Sequence, residues 1–395
     1  MAATTPLREI AALFLRLGTT AFGGPAAHIA MMEDEVVRRR GWLTRGAFLD
    51  YLGATSLIPG PNSTELAIHI GHARGGWPGL AVAGLCFIVP ATLIAATFAW
   101  MYVTWGALPQ MAGVLYGVKP VAIGIVAQAL YGLAKTAVKS PALAALGVLM
   151  LAGIAVGLGE LTLLAVAAAL SVIVAVSWRQ GGAASGSAAM LLVGASATSV
   201  AAASAVVVTT PFTLGGLFLV FAKVGAVLFG SGYVLLAFLR TDLVERLGWL
   251  SEQQLLDAVA IGQLVPGPIF TTATFIGYLL GGPWGAVVAT VGIFLPAFFF
   301  VAVSGPLVPR LRRSPTAGAA LDGVNVASLA LMAAVSWQLG RSALVDPFTV
   351  AIALGTLVAL IHYRVRSSWL ILAGAVVGAL AAQGAGPGLG EAGPT

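Results

Sequence analysis

The nine residues LIPGPNSTE at positions 57–65 decide how this chain folds, because they return as LVPGPIFTT at positions 264–272. Both copies lie inside long apolar stretches, where a membrane helix would otherwise run unbroken. Proline removes a backbone donor and clashes with the preceding helical turn, and glycine weakens a helix further. The repeated Pro-Gly-Pro motif therefore predicts a broken helix in two places.

Composition places the chain in a membrane. Of its 395 residues, 59% are hydrophobic and only 9% are charged, whereas a soluble domain carries about 25% charged residues. Apolar runs of about 18 residues or more recur along the sequence, as transmembrane helices require. We therefore expect an all-α, multi-pass protein of the cell inner (cytoplasmic) membrane. The net charge of +6 comes mostly from loop arginines, which report orientation here rather than binding of nucleic acid.

An internal repeat joins the two Pro-Gly-Pro copies. A shift of 207 residues places residues 14–77 on residues 221–284 without a gap, and 19 of the 64 positions are identical. The identities include Trp, Asp and Pro, which chance similarity between apolar helices would not supply. The match ends on Trp77 and Trp284, and a one-residue deletion then aligns Pro90 with Pro296.

The repeat divides the chain into three parts. We expect a first membrane repeat at residues 1–178, a linker at residues 179–210 and a second membrane repeat at residues 211–395. Each repeat holds about six apolar segments. Residues 190–210 are weakly apolar, which favours either an extra span or a segment that lies on the membrane surface.

Charge patterning predicts that the two repeats are inverted relative to each other. The loop at residues 33–46 carries four arginines, whereas its repeat partner at residues 240–253 carries two arginines and three acidic residues. Conversely, RLRR at residues 310–313 corresponds to the uncharged WGAL at residues 105–108. Basic loops stay in the cytoplasm, so the swapped bias predicts opposite orientations, as in the inverted repeats of secondary transporters.

Two topologies fit this charge pattern. In the one we favour, each Pro-Gly-Pro segment enters the membrane and returns as a broken, re-entrant hairpin. This arrangement puts Lys135 and Lys139 on the same side as the arginines of residues 38–45. In the other topology each segment simply spans the membrane, with an odd number of helices between the repeats. Both topologies invert the repeats.

The broken helices predict a substrate site. A helix that restarts inside the membrane has free N–H groups and partial positive charge at its N-terminus, which suit an anion. Asn, Ser and Thr follow the first break and threonines follow the second, and these side chains donate hydrogen bonds to oxygen ligands. A kink that serves packing alone is the alternative, which the duplication disfavours.

Two cations and a second pair of glycine-rich breaks extend this site. Arg16 and Lys223 lie at matched positions in the first apolar helix of each repeat, where a charge costs about 2.5–3.5 kcal/mol. They would attract a dianion, unless they snorkel to the interface. FGGPAAH at 22–28 and FGSG at 229–232 would expose further N–H groups or let helices pack closely. The predicted substrate-binding residues are Arg16, Gly23, Gly24, Pro59, Gly60, Pro61, Asn62, Ser63, Thr64, Lys223, Gly230, Ser231, Pro266, Gly267, Pro268, Thr271 and Thr272.

Titratable residues near the breaks predict where coupling occurs. Glu65 and His69 follow the first break at helical spacing, and a carboxylate with an imidazole can relay protons. The second copy has Thr and Ile at the matched positions. Asp50 and Asp257 precede the broken segments as N-caps, salt-bridge partners or proton carriers, with capping favoured. The predicted coupling residues are Glu65, His69, Asp50 and Asp257.

Signatures of catalysis and of cofactors are absent from the sequence. No Ser-His-Asp set, HExxH motif or pair of catalytic carboxylates stands out, so we expect neither an enzyme nor a cofactor. His69 and His72 are spaced for a metal but lack a third ligand, so we expect no metal site. The single cysteine, Cys86, cannot form an intramolecular disulfide.

These motifs resemble the chromate ion transporter (CHR) family in its long, two-domain form. The resemblance covers about residues 14–135 and 221–340, and it implies a secondary exporter of chromate that gives chromate resistance and is powered by the membrane gradient rather than by ATP. It also implies oppositely oriented halves and sulfate as a competing analogue. It rests on FGGPAAHIAMMEDEVV (22–37), GWLT (41–44), LIPGPNSTELAIHIG (57–71), FGSGYVLLAFL (229–239), GWL (248–250) and QLVPGPIFTTATFIGY (263–278).

The expected partners follow from this resemblance. They are a tetrahedral oxyanion, the lipid bilayer and, for anion antiport, protons as the coupling ion; a homodimer is compatible with them, whereas nucleic acid is not expected. Proton antiport and transport driven by the membrane potential both fit the sequence. A carrier of another small anion such as sulfate, a passive anion channel and a membrane scaffold are the alternative functions.

Overall fold

A computed structural model of the chain describes residues 5–21, 24–105, 109–179, 211–229, 234–304, 314–363 and 365–384. Across these ranges the protein is helical and contains no strand, as the composition predicted. Residues 180–210 lie outside the described part, and with them nearly all of the predicted linker. The division into residues 1–178, 179–210 and 211–395 therefore stays a prediction.

The described part of the first repeat contains seven α-helices and one π-helical segment. The π-helical segment, Asp34–Arg39, directly follows the second helix. The α-helices are α1 (Leu7–Thr20), α2 (Gly24–Glu33), α3 (Arg45–Thr55), α4 (Asn62–Trp105), α5 (Pro109–Ala137), α6 (Pro141–Ala155) and α7 (Glu160–Arg179).

The described part of the second repeat has the same order of elements. A π-helical segment, Arg240–Arg246, again follows the second helix, and a short 3₁₀ turn, Ile269–Thr271, precedes the long fourth one. The α-helices are α8 (Leu214–Val227), α9 (Leu235–Leu239), α10 (Glu252–Gly262), α11 (Thr272–Ser304), α12 (Pro315–Ala343), α13 (Pro347–Ile361) and α14 (Ser367–Gly384).

Each Pro-Gly-Pro motif forms the tip of a helical hairpin. In the first repeat α3 enters this hairpin just after Trp42, and the chain returns to Trp42 through Arg74 of α4. The Arg74 guanidinium donates to the Trp42 carbonyl (3.2 Å) and to the Thr5 hydroxyl (2.8 Å). The chain therefore enters and leaves the first hairpin at the same end.

The second hairpin closes in the same way with apolar contacts. Trp249, just before α10, packs edge-on against Phe212, with ring centroids 5.2 Å apart. A Cβ added at Gly281, where the first arm of α11 ends, would lie 3.1 Å from the same Phe212 ring. Phe212 and Trp249 are the repeat partners of Thr5 and Trp42, and Gly281, like Arg74, lies where the returning arm ends. The two hairpins therefore share one geometry.

Each long fourth helix turns back on itself at a glycine. The turn in α4 lies at Gly76 (φ 60°, ψ −149°) and the turn in α11 at Gly282 (φ 60°, ψ −152°), conformations that favour glycine. These matched turns are 206 residues apart, so the one-residue deletion lies upstream of them rather than just before Pro90. Trp77 and Trp284 consequently flank the turns without occupying matched positions, which corrects the sequence alignment.

Several helices are suited to cross a membrane. Four described helical segments are long and apolar enough to do so by length and composition, and large apolar side chains such as Leu93 and Trp284 are exposed on them. The chain is thus a multi-pass membrane protein. The four segments are Asn62–Trp105, Gly113–Ala137, Ile269–Ser304 and Pro315–Ala343.

The two repeats exchange their last helices and so form one body. α6 and α7 of the first repeat pack on α12 of the second, while α13 and α14 of the second pack on α5 of the first. Glycines allow the close approach: Gly117 of α5 meets Gly378 of α14, and its repeat partner Gly323 of α12 meets Ser171 of α7. These exchanged contacts join the two repeats along α5 and α12.

Candidate functional site

The two Pro-Gly-Pro tips contact opposite repeats through matched atoms. The Gly60 N–H donates to the Leu228 carbonyl (2.8 Å), and the Gly267 N–H donates to the Ala21 carbonyl (2.9 Å). Ala21 and Leu228 are the residues at which α1 and α8 end, and they are themselves 207 residues apart. Such reciprocal contacts are the pattern that a two-fold axis produces. The two tips therefore form a pseudo-symmetric pair of contacts between the repeats.

Glycine and proline explain why these tips form. Gly60 has φ 137° and Gly267 has φ 93°, both in the region that favours glycine. A Cβ at Gly267 would lie 2.8 Å from the Ala91 Cβ, so the tip also needs glycine for space. Proline has no backbone N–H, so the prolines leave no donor unpaired at the tips. The Pro61 carbonyl accepts hydrogen bonds from the N–H groups of Thr64 and Glu65, where α4 begins.

A buried histidine braces the first tip. The ring of His28, which is 1% exposed, lies with Nε2 3.0 Å from the Ala21 carbonyl and Nδ1 3.3 Å from the Ser63 hydroxyl. Because a carbonyl can only accept, Nε2 carries the proton and Nδ1 accepts from Ser63. Sequence reasoning missed His28; the available signal was a lone histidine six residues after the Phe22-Gly23 break, in an apolar stretch.

A group of buried polar atoms follows the first tip. Thr64 and Glu65 are fully buried and His69 is 5% exposed. The Thr64 hydroxyl, both Glu65 carboxyl oxygens and His69 Nε2 have no hydrogen-bond partner among the described residues. The Glu65 carboxyl lies directly against the backbone of Gly60, and the His69 ring stacks on Tyr51 at 5.5 Å. Ionisable groups held in this way inside a membrane helix make this group a candidate functional site.

The second tip is far less polar. The Thr271 and Thr272 hydroxyls donate to the backbone carbonyls of Pro268 and Ile269, both at 2.8 Å, so these protons are already engaged. The repeat partners of His28 and Ser63 are the buried apolar residues Leu235 and Phe270. The structure thus duplicates the backbone of the tip and the threonine pair Thr64/Thr271, but it does not duplicate His28, Ser63 or Glu65.

Both predicted cations form ion pairs with acids that sequence reasoning missed. Arg16 Nη2 lies 2.6 Å from Glu35, and Lys223 Nζ lies 2.7 Å from Asp242. Glu35 and Asp242 are 207 residues apart on the two π-helical segments, so the repeat offset could have revealed them. Burial acts to raise the pKa of Glu35, but hydrogen bonds from Arg16 and Arg40 outweigh it and hold the pKa below its ordinary value.

A second matched ion pair has its charges reversed. Glu33 pairs with Arg45 at 3.6 Å in the first repeat. At the matched positions of the second repeat, Arg240 pairs with Glu252 at 2.5 Å. In both repeats the ion pair joins the first residue of α3 or α10 to the segment around residue 33 or 240. In the first repeat α3 carries the positive charge, and in the second repeat α10 carries the negative charge.

The two predicted aspartates have different surroundings, and neither caps a helix. Thr44 and Ser251 are the N-caps of α3 and α10, so the capping interpretation is wrong for both. Asp50 lies on an exposed face of α3. Asp257 is buried, where Lys119 Nζ of the first repeat lies 2.8 Å from it and the Tyr102 hydroxyl donates to it at 2.7 Å.

A cavity of about 200 Å³ lies beside the first tip, between the two repeats. Its polar lining comes from five residues, of which the sequence predicted only Asn62. No charged residue lines it within the part of the chain described. The five are Ser56, Asn62, Thr136, Asn325 and Ser328.

The remaining predicted residues add little to this geometry. Gly24 begins α2 with φ 75°. Gly23, Gly230 and Ser231 lie outside the described residues. Pro59 and Pro266 lie in the tips themselves. No three His, Cys, Asp or Glu side chains in the described ranges are arranged to hold a metal ion.

Comparison with known proteins identifies the family. The family model described as "Chromate transporter" matches the chain twice, at residues 8–214 and 215–379, so each repeat is one copy of the family unit. The chain belongs to the chromate transporter family. The predicted family resemblance is therefore confirmed.

Members of the chromate transporter family resemble the chain over most of its length. The chain is 33% identical to the chromate transport protein of Cupriavidus metallidurans over 377 residues, which are 95% of this chain and 93% of that protein. It is 31% identical to the probable chromate transport protein of Synechococcus elongatus over 89% of each chain. No solved structure matches the chain.

Proposed function

We propose that the chain is a secondary active transporter that exports chromate across the cytoplasmic membrane and thereby gives chromate resistance. Membership of the chromate transporter family and the printed names of its relatives support chromate as the substrate. The observation that carries the proposal is the reciprocal contact between Gly60 and Gly267 and the opposite repeats. It supports a site shared by the two helix breaks, which is where many secondary transporters bind substrate.

The proposed topology is inverted, with the two hairpins re-entrant. Each hairpin begins and ends at the same end, which favours a return over a crossing. The loop at residues 33–46 carries four arginines and its repeat partner at residues 240–253 carries two, which fits two repeats that face opposite sides of a membrane whose basic loops stay in the cytoplasm. An axis in the membrane plane would relate the two tips and place them near its centre.

In the proposed mechanism, chromate binds at the helix N-termini that follow the tips. Backbone N–H groups and the dipole of α4 would hold a dianion there. Arg16 and Lys223 would join the site only by exchanging Glu35 and Asp242 for the substrate, so both ion pairs would open during binding. Sulfate, which has the same shape and charge, would compete.

Coupling is assigned to the first tip alone. Glu65 would take up a proton on one side of the membrane and release it on the other, with His69 one helical turn further along the same face. Its burial against Gly60, a residue of the tip, would link its protonation to the shape of the tip. In this proposal, protons drive chromate antiport.

The test measures chromate uptake into inverted membrane vesicles, with the pH gradient and the membrane potential imposed separately. We expect uptake above that of vesicles without the protein, acceleration by the pH gradient, and inhibition by sulfate. Uptake that follows only the chromate concentration difference would support a passive channel instead. The absence of chromate flux under every gradient would contradict the proposed function.

A further inference from the structure

The cavity beside the first tip has the shape and lining of a site for a small anion. Its volume of about 200 Å³ accommodates a tetrahedral ion of five heavy atoms together with water, since a water molecule occupies about 30 Å³ of liquid. Asn62, the first residue of α4, lines the cavity, so the N-terminus of that helix opens onto it. The Thr64 and Glu65 N–H groups bond to the Pro61 carbonyl, so the helix dipole and the N–H groups of Asn62 and Ser63 are what favour an anion there.

Ser328 supplies an independent indication of a ligand. This residue of α12 is 1% exposed and lines the cavity, and its hydroxyl has no hydrogen-bond partner among the described residues. A buried hydroxyl without a partner is costly, so the unpartnered hydroxyl of this cavity-lining residue is suited to a bound group. Asn325 lies one turn earlier on the same helix and adds an amide donor.

The repeat partner of this cavity is built differently. Lys119 and Ala122 occupy the positions that match Asn325 and Ser328, 206 residues apart. There the Lys119 ammonium is paired with Asp257 in a buried contact of 2.8 Å. The polar donors Asn325 and Ser328 therefore occur beside the first tip only. At the matched positions an ion pair and an alanine take their place.

We infer that Asn62, Asn325 and Ser328 form the oxyanion-binding site of this transporter and that it selects dianions that carry no proton. This inference rests on the proposed function. No carboxylate lines the described cavity, so an oxyanion that must donate a proton, such as hydrogen phosphate, finds no charged acceptor. Chromate and sulfate need only donors, which the three residues and the α4 N-terminus provide.

The first experiment compares two serines of α12. Ser328→Ala removes the free hydroxyl, whereas Ser336→Ala, its matched control, removes a hydroxyl bonded to the Met332 carbonyl. Because a hydrogen bond to a charged group is worth roughly 1.5–3 kcal/mol, we expect Ser328→Ala to raise the dissociation constant for radiolabelled chromate about tenfold or more. The Ser336→Ala protein should bind chromate as the unmodified chain does.

The second experiment adds a charge and tests selectivity. Asn325→Asp keeps the side-chain shape and places a negative charge at the cavity, so chromate binding should fall more than tenfold. Molybdate and sulfate should compete with chromate in the unmodified chain, and phosphate should not. Equal chromate affinity in Ser328→Ala, Asn325→Asp and the unmodified chain, all folded by thermal unfolding, would overturn the inference.

These outcomes separate the inference from the proposed function. If the unmodified chain transports chromate but the Ser328 and Asn325 variants keep its KM, the site lies elsewhere and the function stands. If the unmodified chain neither binds nor transports chromate, the proposed function fails first. Effective competition by phosphate would overturn the selectivity part of the inference.

Discussion

The two Pro-Gly-Pro tips share a backbone and differ in chemistry. Both form hairpin tips, both use glycine at positive φ, and both donate to the helix end of the other repeat. Around the first tip the side chains are His28, Ser63 and Glu65, and around the second they are Leu235, Phe270 and Thr272. The two copies share the backbone that builds the tips, whereas His28 and Glu65 occur in the first copy alone.

This difference fits a division of labour in the proposed transporter. A substrate that crosses the membrane must meet both repeats, so a shared backbone geometry suits its path. A coupling group needs to titrate only once per cycle, so one carboxyl is sufficient. The predictions below test whether the matched positions carry the unequal roles that their contacts indicate.

The largest expected effect on stability comes from the buried ion pair between Lys119 and Asp257. Lys119→Met leaves the Asp257 carboxylate buried with only the Tyr102 hydroxyl, which should cost about 3–5 kcal/mol of unfolding free energy. Lys139→Met is the matched control, because Lys139 pairs with Asp322 while 59% exposed, and it should cost less than about 1 kcal/mol. Thermal unfolding in detergent measures both. Equal unfolding midpoints would show that Asp257 is not held as described.

The next effect tests whether the tips are equivalent as backbone structures. Gly60→Ala and Gly267→Ala each force a side chain into a conformation that favours glycine, and each should cost about 1–3 kcal/mol. Gly46→Ala in α3 is the control, because nothing lies within 4 Å of its added Cβ. The same unfolding assay applies. A large loss for one tip and none for the other would break the pseudo-symmetry.

A smaller difference in the free energy of unfolding is expected between variants of the two matched cations, Lys223 and Arg16. Lys223→Gln removes one of two cations from Asp242, which is 2% exposed, and should cost about 1.5–3 kcal/mol. Arg16→Gln should cost under about 1 kcal/mol, since Arg16 is half exposed and Glu35 keeps Arg39 and Arg40. Unfolding midpoints report the ranking. A greater loss for Arg16→Gln would reverse the assignment of the buried pair.

Much of the fold follows from local sequence. Composition predicts membrane helices, Pro-Gly-Pro predicts the two breaks, and the 207-residue offset predicts which residues match. The same offset also matches the acidic residues Glu35 and Asp242, although only the structure shows that they pair with Arg16 and Lys223. The wrong capping prediction for Asp50 and Asp257 arose because their helices begin earlier than the apolar pattern indicates, at Thr44 and Ser251.

The cavity could not be predicted in the same way. It depends on how Ser56 and Asn62 approach Asn325 and Ser328, which lie more than 250 residues away in sequence. Serine and asparagine in an apolar helix carry no periodic signal, and the exchange of helices between repeats decides what they face. The buried Lys119–Asp257 pair is a long-range contact of the same kind.

The most direct test of the account compares Glu65 with its repeat partner in the chromate uptake assay. We predict that Glu65→Gln abolishes acceleration by an imposed pH gradient while chromate still moves down its own gradient. Thr272→Ala, the matched change in the second tip, should leave the acceleration intact, because that hydroxyl donates to the Ile269 carbonyl. Acceleration of Glu65→Gln equal to that of the unmodified chain would contradict the claim that coupling belongs to the first tip.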